Sequence, residues 1–431
     1  MRMSTTLDRI AQKARKDRKL RFTSLAHLIT PEFLVETWSM MNKQGASGVD
    51  GETAREFEQD LSKRCQSIVD RLKANKYKAP PVRRVEIPKG NGKMRLLGIP
   101  TVEDRVVQRA VARILEAIYE ADFLECSYGF RPGRNPHRAL AKTREYVMAK
   151  KVDWVFETDI RGYFDNINHE WLRKFLALRV GDPVIMRLIG KWLNAGVMQN
   201  GVVQRASLGT PQGGPSSPLL ANVYLHYALD VWFEHGFKKT CRGEAYLVRF
   251  ADDFIVCFQY RHEAERFKRE ITARMAKFGL EMAEEKTRLI RFGRFAARDE
   301  AKQGKKPEKF EFLGFEHICG TDRKGRFALI YKPRRKSCRK FLDRTHAWLQ
   351  AHMHETLEKQ QLQLTLMLSG FYQYFGLPQC YNRLMWVQNE VRHQWVHALR
   401  RRSQRHRIHW ENVMIQPWYA LPNPRIVHRN V

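Results

Sequence analysis

The chain has 431 residues, 43% of them hydrophobic, which allows two or three folded domains and excludes a disordered polypeptide. Lysine and arginine total 77 against 46 acids, and the formal charge of +31 is far beyond the needs of solubility, so a polyanionic partner is expected. Basic residues are spread along the chain, no apolar run is long enough for a membrane span and no secretory signal opens it, so nucleic acid in the cytoplasm is preferred to a membrane surface.

In chain order, residues 1–80 read as a basic helical extension, broken by the turn-rich stretch Gly45–Gly51. Asp8 and Asp17 speak against an organelle presequence there. From Pro80 the pattern changes to a hairpin: Val82, Val85 and Ile87, a polar tip at Lys89–Lys93, then Arg95–Pro100. Val102 to Tyr119 follows a helical period, with Val102, Val106, Ala110, Ile114 and Ile118 on one core-facing stripe.

Residues 150–320 alternate strands with helices, as an α+β sheet domain does. The role of residues 173–204 within it is not written in their types. Beyond Lys332 the chain turns helical, with amphipathic stretches at 338–364 and 385–402, and a tail from Trp410 expected to wrap over other elements. The predicted division is therefore 1–80, 81–330 and 331–431. Seven single cysteines, with no Cys-x-x-Cys spacing, exclude a disulfide framework and a zinc site.

The chemistry concentrates in Phe250-Ala-Asp252-Asp253. Aromatic and β-branched residues flank it on both sides, so the acids fall at the turn of a hairpin. A bare Asp-Asp is most often an ordinary acidic turn; its company argues otherwise. Adjacent carboxylates repel, and a hard divalent cation such as Mg²⁺ suits them. Asp159 ends a second strand, Val152–Ile160, and if the two strands pair, three carboxylates converge. Two cations about 4 Å apart would then activate a hydroxyl and stabilise a leaving oxygen, the chemistry of phosphoryl transfer. Between them lies the loop Leu208–Pro218, rich in Gly and Pro, running into a helix.

These blocks resemble the reverse transcriptases encoded by bacterial group II introns and their relatives. The resemblance rests on Ile87-Pro-Lys89, Arg95-Leu-Leu-Gly-Ile-Pro100, Ser127-Tyr-Gly-Phe-Arg-Pro-Gly133, Asp159-Ile-Arg-Gly-Tyr-Phe164, Gly209-Thr-Pro-Gln-Gly-Gly214, Phe250-Ala-Asp-Asp253, Glu285-Lys286-Thr and Phe312-Leu-Gly-Phe315. Gly48-Val-Asp-Gly51 and Phe371-Tyr-Gln-Tyr-Phe375 look similar too. It implies a right-hand polymerase with fingers, palm and thumb, preceded by the helical extension and ended by a basic helical region.

By the same resemblance, Asp159, Asp252 and Asp253 are the catalytic carboxylates, holding two Mg²⁺ ions (Mn²⁺ as substitute) with the carbonyl of Ile160. Phe164 is a gate against the ribose 2′-hydroxyl, Lys89 and Arg95 grip the triphosphate, Gln212 lines the nucleotide pocket and Lys286 protonates pyrophosphate. Partners would be dNTPs, an RNA template with its primer, and a group II intron RNA. Arg392, Arg400, Arg401, Arg402 and Arg405, interleaved with Trp395, Trp410 and Trp418, suit contact with a nucleic-acid backbone and stacking on bases.

Some positions depart from the pattern. Phe250 stands where Tyr is familiar, Asn135-Pro136 and Ser216 are unusual in their blocks, and no Cys/His-rich endonuclease segment follows Pro424–His428. Two other roles compete: a domesticated polymerase of repair or phage defence, and a mainly non-catalytic RNA-binding splicing cofactor.

Overall fold

Strand pairing organises the molecule, a computed structural model that describes residues 2–88, 94–199, 202–204, 209, 213–402 and 420–429. In chain order the described strands are β1 (Val82–Pro88), β2 (Met94–Ile99), β3 (Trp154–Asp159), β4 (Val197–Gln199), β5 (Val202–Gln204) and β6 (Ala245–Phe250). They continue as β7 (Asp253–Phe258), β8 (Arg288–Arg291), β9 (Phe310–Phe312), β10 (Phe315–Thr321) and β11 (Phe327–Pro333). The chain is α+β, as expected.

The central sheet has the order β6-β7-β3-β8, every pair antiparallel. Its residues alternate between two cores, as the two-residue repeat of a strand requires. Phe156, Phe254, Val256 and Phe258 enter one core with Phe267, Ile271 and Met275 of the helix Arg261–Lys277. Val155, Ile255 and Cys257 enter the other with Phe310, Phe312 and Leu329. A sheet covered on both faces holds its strand ends rigidly, and Asp159 and Asp253 stand at such ends.

The predicted hairpin is β1–β2, with Ile87 opposite Arg95. Strands β4 and β5 complete its sheet, in the order β2-β1-β4-β5: the helix Pro183–Asn194 delivers β4 parallel to β1. That helix is capped by Asp182, which accepts N–H bonds from Val184 and Ile185 and also from Leu25 and Ala26 of the extension. The predicted helix Val102–Tyr119 forms as expected, and it is buried on nearly every side, well beyond one stripe. Asn135, unusual in its block, is the N-cap of the helix Pro136–Ala149, accepting from Arg138 N–H at 2.9 Å.

Two details differ from the sequence reading. Strand β11 runs through residue 330, so the change to helix falls at Arg335. The stretch 338–364 is two helices, Arg335–Ala351 and Leu357–Phe375, because Thr356 caps a new start. The helix Tyr381–Arg400 follows. Among the described residues no helix is long and apolar enough to cross a membrane.

Candidate active site

Pairing of β3 with β7 sets Asp159 directly opposite Asp253, and pairing of β6 with β7 closes a two-residue turn of Ala251 and Asp252. The three aspartates thus stand at one sheet end. Ala251 has φ +57°, a conformation that costs a residue with a Cβ about 1 kcal/mol or more and is tolerated where surroundings enforce it.

What enforces it is Arg249, wholly buried beneath the turn. All five of its N–H donors are engaged. Two bind Asp230 at 2.8 and 2.6 Å, one Ser127 Oγ at 2.7 Å, one Asn222 at 3.0 Å, and one the Ala251 carbonyl at 2.9 Å. Asp230, also fully buried, ends a five-residue π-helical turn, His226–Asp230, a distortion common at functional sites. Asn222 in turn donates to the Gly129 carbonyl at 2.7 Å. Gly129 lies so close that a Cβ there would be 2.3 Å from Ala251 N. Gly129→Ala is therefore expected to destabilise the fold by about 1–3 kcal/mol, read as a lowered denaturant midpoint. Arg249 is a single charge inside an apolar strand, and no role was assigned to it from sequence.

The acids carry mutual strain. Burial, then the charges of Asp159 and Asp252, push the Asp253 carboxyl up to about 7. Lys286 forms an ion pair with Asp159, from a short turn that the Ala283 N–H ties to the Asp159 carbonyl at 2.9 Å. That pairing raises the Lys286 ammonium, which stays protonated. Among the described residues no three His, Cys, Asp or Glu side chains are gathered in an ion-holding shape. The donor set is nevertheless all oxygen, the donor type that a hard divalent cation takes.

Around the acids the predicted residues fall as follows. Ile160 bridges Met282 through bonds from Arg161 N–H to Glu281 and from Ala283 N–H to Asp159, and neither uses the Ile160 carbonyl. Phe164 is half-buried, edge-on to Tyr163 at 5.4 Å, in a turn five residues past Asp159. The Gly-rich loop is anchored at both ends: His169 Nε2 donates to the Gly209 carbonyl at 2.6 Å, and Ser216 Oγ bonds Gln108 at 3.2 Å. Lys89, Gln212 and Arg405 lie outside the described residues, as do Trp410 and Trp418. Arg95 is placed by its backbone in β2 alone. Phe250 has its ring 6.4 Å from Phe130.

The C-terminal arginines divide. Arg400 and Arg401 are exposed on the end of the last helix, and Arg392 is half-buried. Arg402 is turned inward, donating to the carbonyls of Met353 and Glu355 at 2.5 and 2.6 Å, so it fastens two helix ends together. Trp395 does not stack on bases: it is wholly buried, its indole N–H bonded to Gln360 at 2.9 Å. An amphipathic helix buries its aromatic stripe first.

Residues 87–317 match the family described as reverse transcriptase (RNA-dependent DNA polymerase). The chain is 36% identical over 280 residues to the protein YkfC of Escherichia coli, covering 58% of this chain and 74% of that one. It is 42% identical over 226 residues to the group II intron-encoded protein LtrA of Lactococcus lactis, covering 51% of this chain and 37% of LtrA. An uncharacterized 91 kDa protein in a cob intron of Schizosaccharomyces pombe is 40% identical over 168 residues, 39% of this chain and 20% of its own. The chain therefore spans well under two thirds of these intron-encoded relatives.

Proposed function

Since the chain belongs to the reverse transcriptases of group II introns and their relatives, we propose that it extends a primer with dNTPs on an RNA template. The observation that carries this is the shared sheet end of Asp159, Asp252 and Asp253, set by strand register. In this reading β1, β2, β4 and β5 belong to the fingers, the β6-β7-β3-β8 sheet is the palm and the helices after Arg335 form the thumb. The organisation proposed is 1–80 extension, 81–330 fingers and palm, 331–431 thumb and basic tail.

Asp159, Asp252 and Asp253, with the Ile160 carbonyl, would hold two divalent ions, which when bound activate the primer 3′-hydroxyl and neutralise the leaving pyrophosphate. The chain's own residues position and select. Lys89, Arg95 and Gln212 would meet the triphosphate, and Arg95 starts at the fingertip strand that faces the Gly-rich loop across Gly98 and Gly213. Lys286, held protonated at Asp159, would serve as a donor for the departing pyrophosphate.

Phe164 would exclude the 2′-hydroxyl sterically. Phe164→Val is expected to lower discrimination against ribonucleotides by about 10- to 200-fold, the range a reshaped apolar wall commands. The test is the ratio of kcat/KM for dNTP and rNTP on an RNA template, wild type beside variant. A wild type that prefers rNTPs, or uses neither, would overturn the proposal.

Similarity to intron-encoded LtrA and the charge of +31 support a second partner, a folded intron RNA, bound by the exposed arginines near Arg400.

A further inference from the structure

The helix Val102–Tyr119 carries two buried polar side chains, Asp104 and Gln108, that have no part in the acidic site. We infer that Gln108 is a positioning residue for nucleotide binding, seating the end of the Gly-rich loop at Gly214 and Ser216; this rests on the polymerase reading above.

Asp104 is the fixed end of the arrangement. Its carboxylate accepts from the Trp192 indole N–H at 2.8 Å, from the Tyr77 hydroxyl and from the Gln108 amide at 3.0 Å. Trp192 lies on the helix Pro183–Asn194 and Tyr77 precedes the β1–β2 hairpin, so separate segments are tied to one acid. A buried carboxylate persists where such bonds replace its water. An ionised carboxylate only accepts, so the Gln108 amide turns its NH₂ group toward Asp104 and its oxygen away. That oxygen accepts from Ser216 Oγ at 3.2 Å, across 108 positions of chain.

The loop is shaped to meet it. A Cβ on Gly214 would stand 2.6 Å from Gln108 Oε1, and one on Gly213 would stand 2.6 Å from the Gly98 carbonyl oxygen. Glycine at both positions lets the loop backbone lie directly against the helix and β2. The Gly214 carbonyl accepts from Ser217 N–H at 3.1 Å and the Ser216 carbonyl from Leu220 N–H at 3.1 Å, so the seat also sets where the helix Ser217–Leu225 begins. Ser216, unusual in its block, thus meets an amide whose orientation Asp104 dictates. Gln212 stands two residues before Gly214, so a shift of the seat is carried to the nucleotide pocket.

The test is a double-variant cycle of Gln108→Met and Ser216→Ala, with Tyr77→Phe as control. Ser216→Ala removes the bond from the loop side, so the cycle does not depend on Gln108→Met folding well. Tyr77→Phe removes a donor to the same acid and leaves the Gln108–Ser216 bond in place. Two readouts are needed: kcat and dNTP KM for primer extension on an RNA template, and amide hydrogen exchange over residues 213–217 without nucleotide. The expected result for either loop-seat variant is a dNTP KM raised about fivefold with kcat changed by less than about twofold, as the loss of one buried hydrogen bond from a binding element gives. The double variant should be no worse than either single one, and exchange over 213–217 should be faster in all three. Tyr77→Phe should lower the denaturant midpoint and leave KM and that exchange at the wild-type level. Wild-type KM in both single variants, additive effects in the double, or the same changes in Tyr77→Phe would overturn the inference. A wild type that makes no product fails the polymerase reading instead; exchange then decides the seat, and wild-type exchange in Ser216→Ala would overturn it.

Discussion

Arg249→Met is expected to lower the unfolding free energy by about 3–5 kcal/mol, because it leaves Asp230 charged and buried with no partner. Domains of this kind hold only about 5–15 kcal/mol in total, so the loss is large. Chemical denaturation gives the direct reading. The double variant Arg249→Met, Asp230→Leu should recover much of the stability, since a buried ion pair replaced by apolar groups is often neutral. It should not recover primer extension. The Ala251 carbonyl would still lack the donor that holds the turn of the two aspartates, and Ala251 would still sit at φ +57°. Recovery of both stability and extension would show that Arg249 serves the fold alone.

The second large effect lies one step along the chain. Asp252→Ala is expected to reduce the rate of extension by about 10³-fold, since removal of a fixed charge at the reacting centre costs several kcal/mol of transition-state stabilisation. Stability should move the other way or stay level. Asp252 adds to the charge that pushes Asp253 up to about 7, and relieving like-charge repulsion favours the fold. A variant that loses activity while holding or gaining stability marks a functional carboxylate; one that loses both would mark a structural acid. Side-by-side denaturation and extension assays distinguish the two.

The features that were legible in the sequence are local ones. Aromatic and β-branched residues through Ala245–Phe258 gave the hairpin with the acids at or beside its turn, and the helical period gave Val102–Tyr119 to the residue. Asp159 reads as the end of a second strand that could pair beside the hairpin, and the register sets it opposite Asp253. What stayed hidden depends on distant partners. Arg249 is a single charge among apolar residues, and its acceptors Asp230 and Ser127 lie 19 and 122 positions away, in a π-helical turn and a loop. Gln108 meets Ser216 across 108 positions, and no pattern in either segment signals the other.

Trp395 was misplaced for a related reason. Its neighbourhood is basic, but the side of the helix on which it lies packs against Gln360 and the core, and composition alone does not reveal a helix's packed face. The break at 352–356 was missed because an amphipathic pattern runs through it, with only Thr356 as a cap signal. The segment 173–204 has ordinary scaffold residues, and its purpose emerged only when β4 was seen pairing with β1.

The most direct test of the carboxylate site is a primer extension on an RNA template with dNTPs over a Mg²⁺ titration, wild type beside Asp252→Ala. The account predicts Mg²⁺-dependent product from the wild type and almost none from the variant at any Mg²⁺ concentration. A folded wild type that binds the primer–template and yields no product at any concentration would contradict it, and would leave RNA binding as the chain's activity.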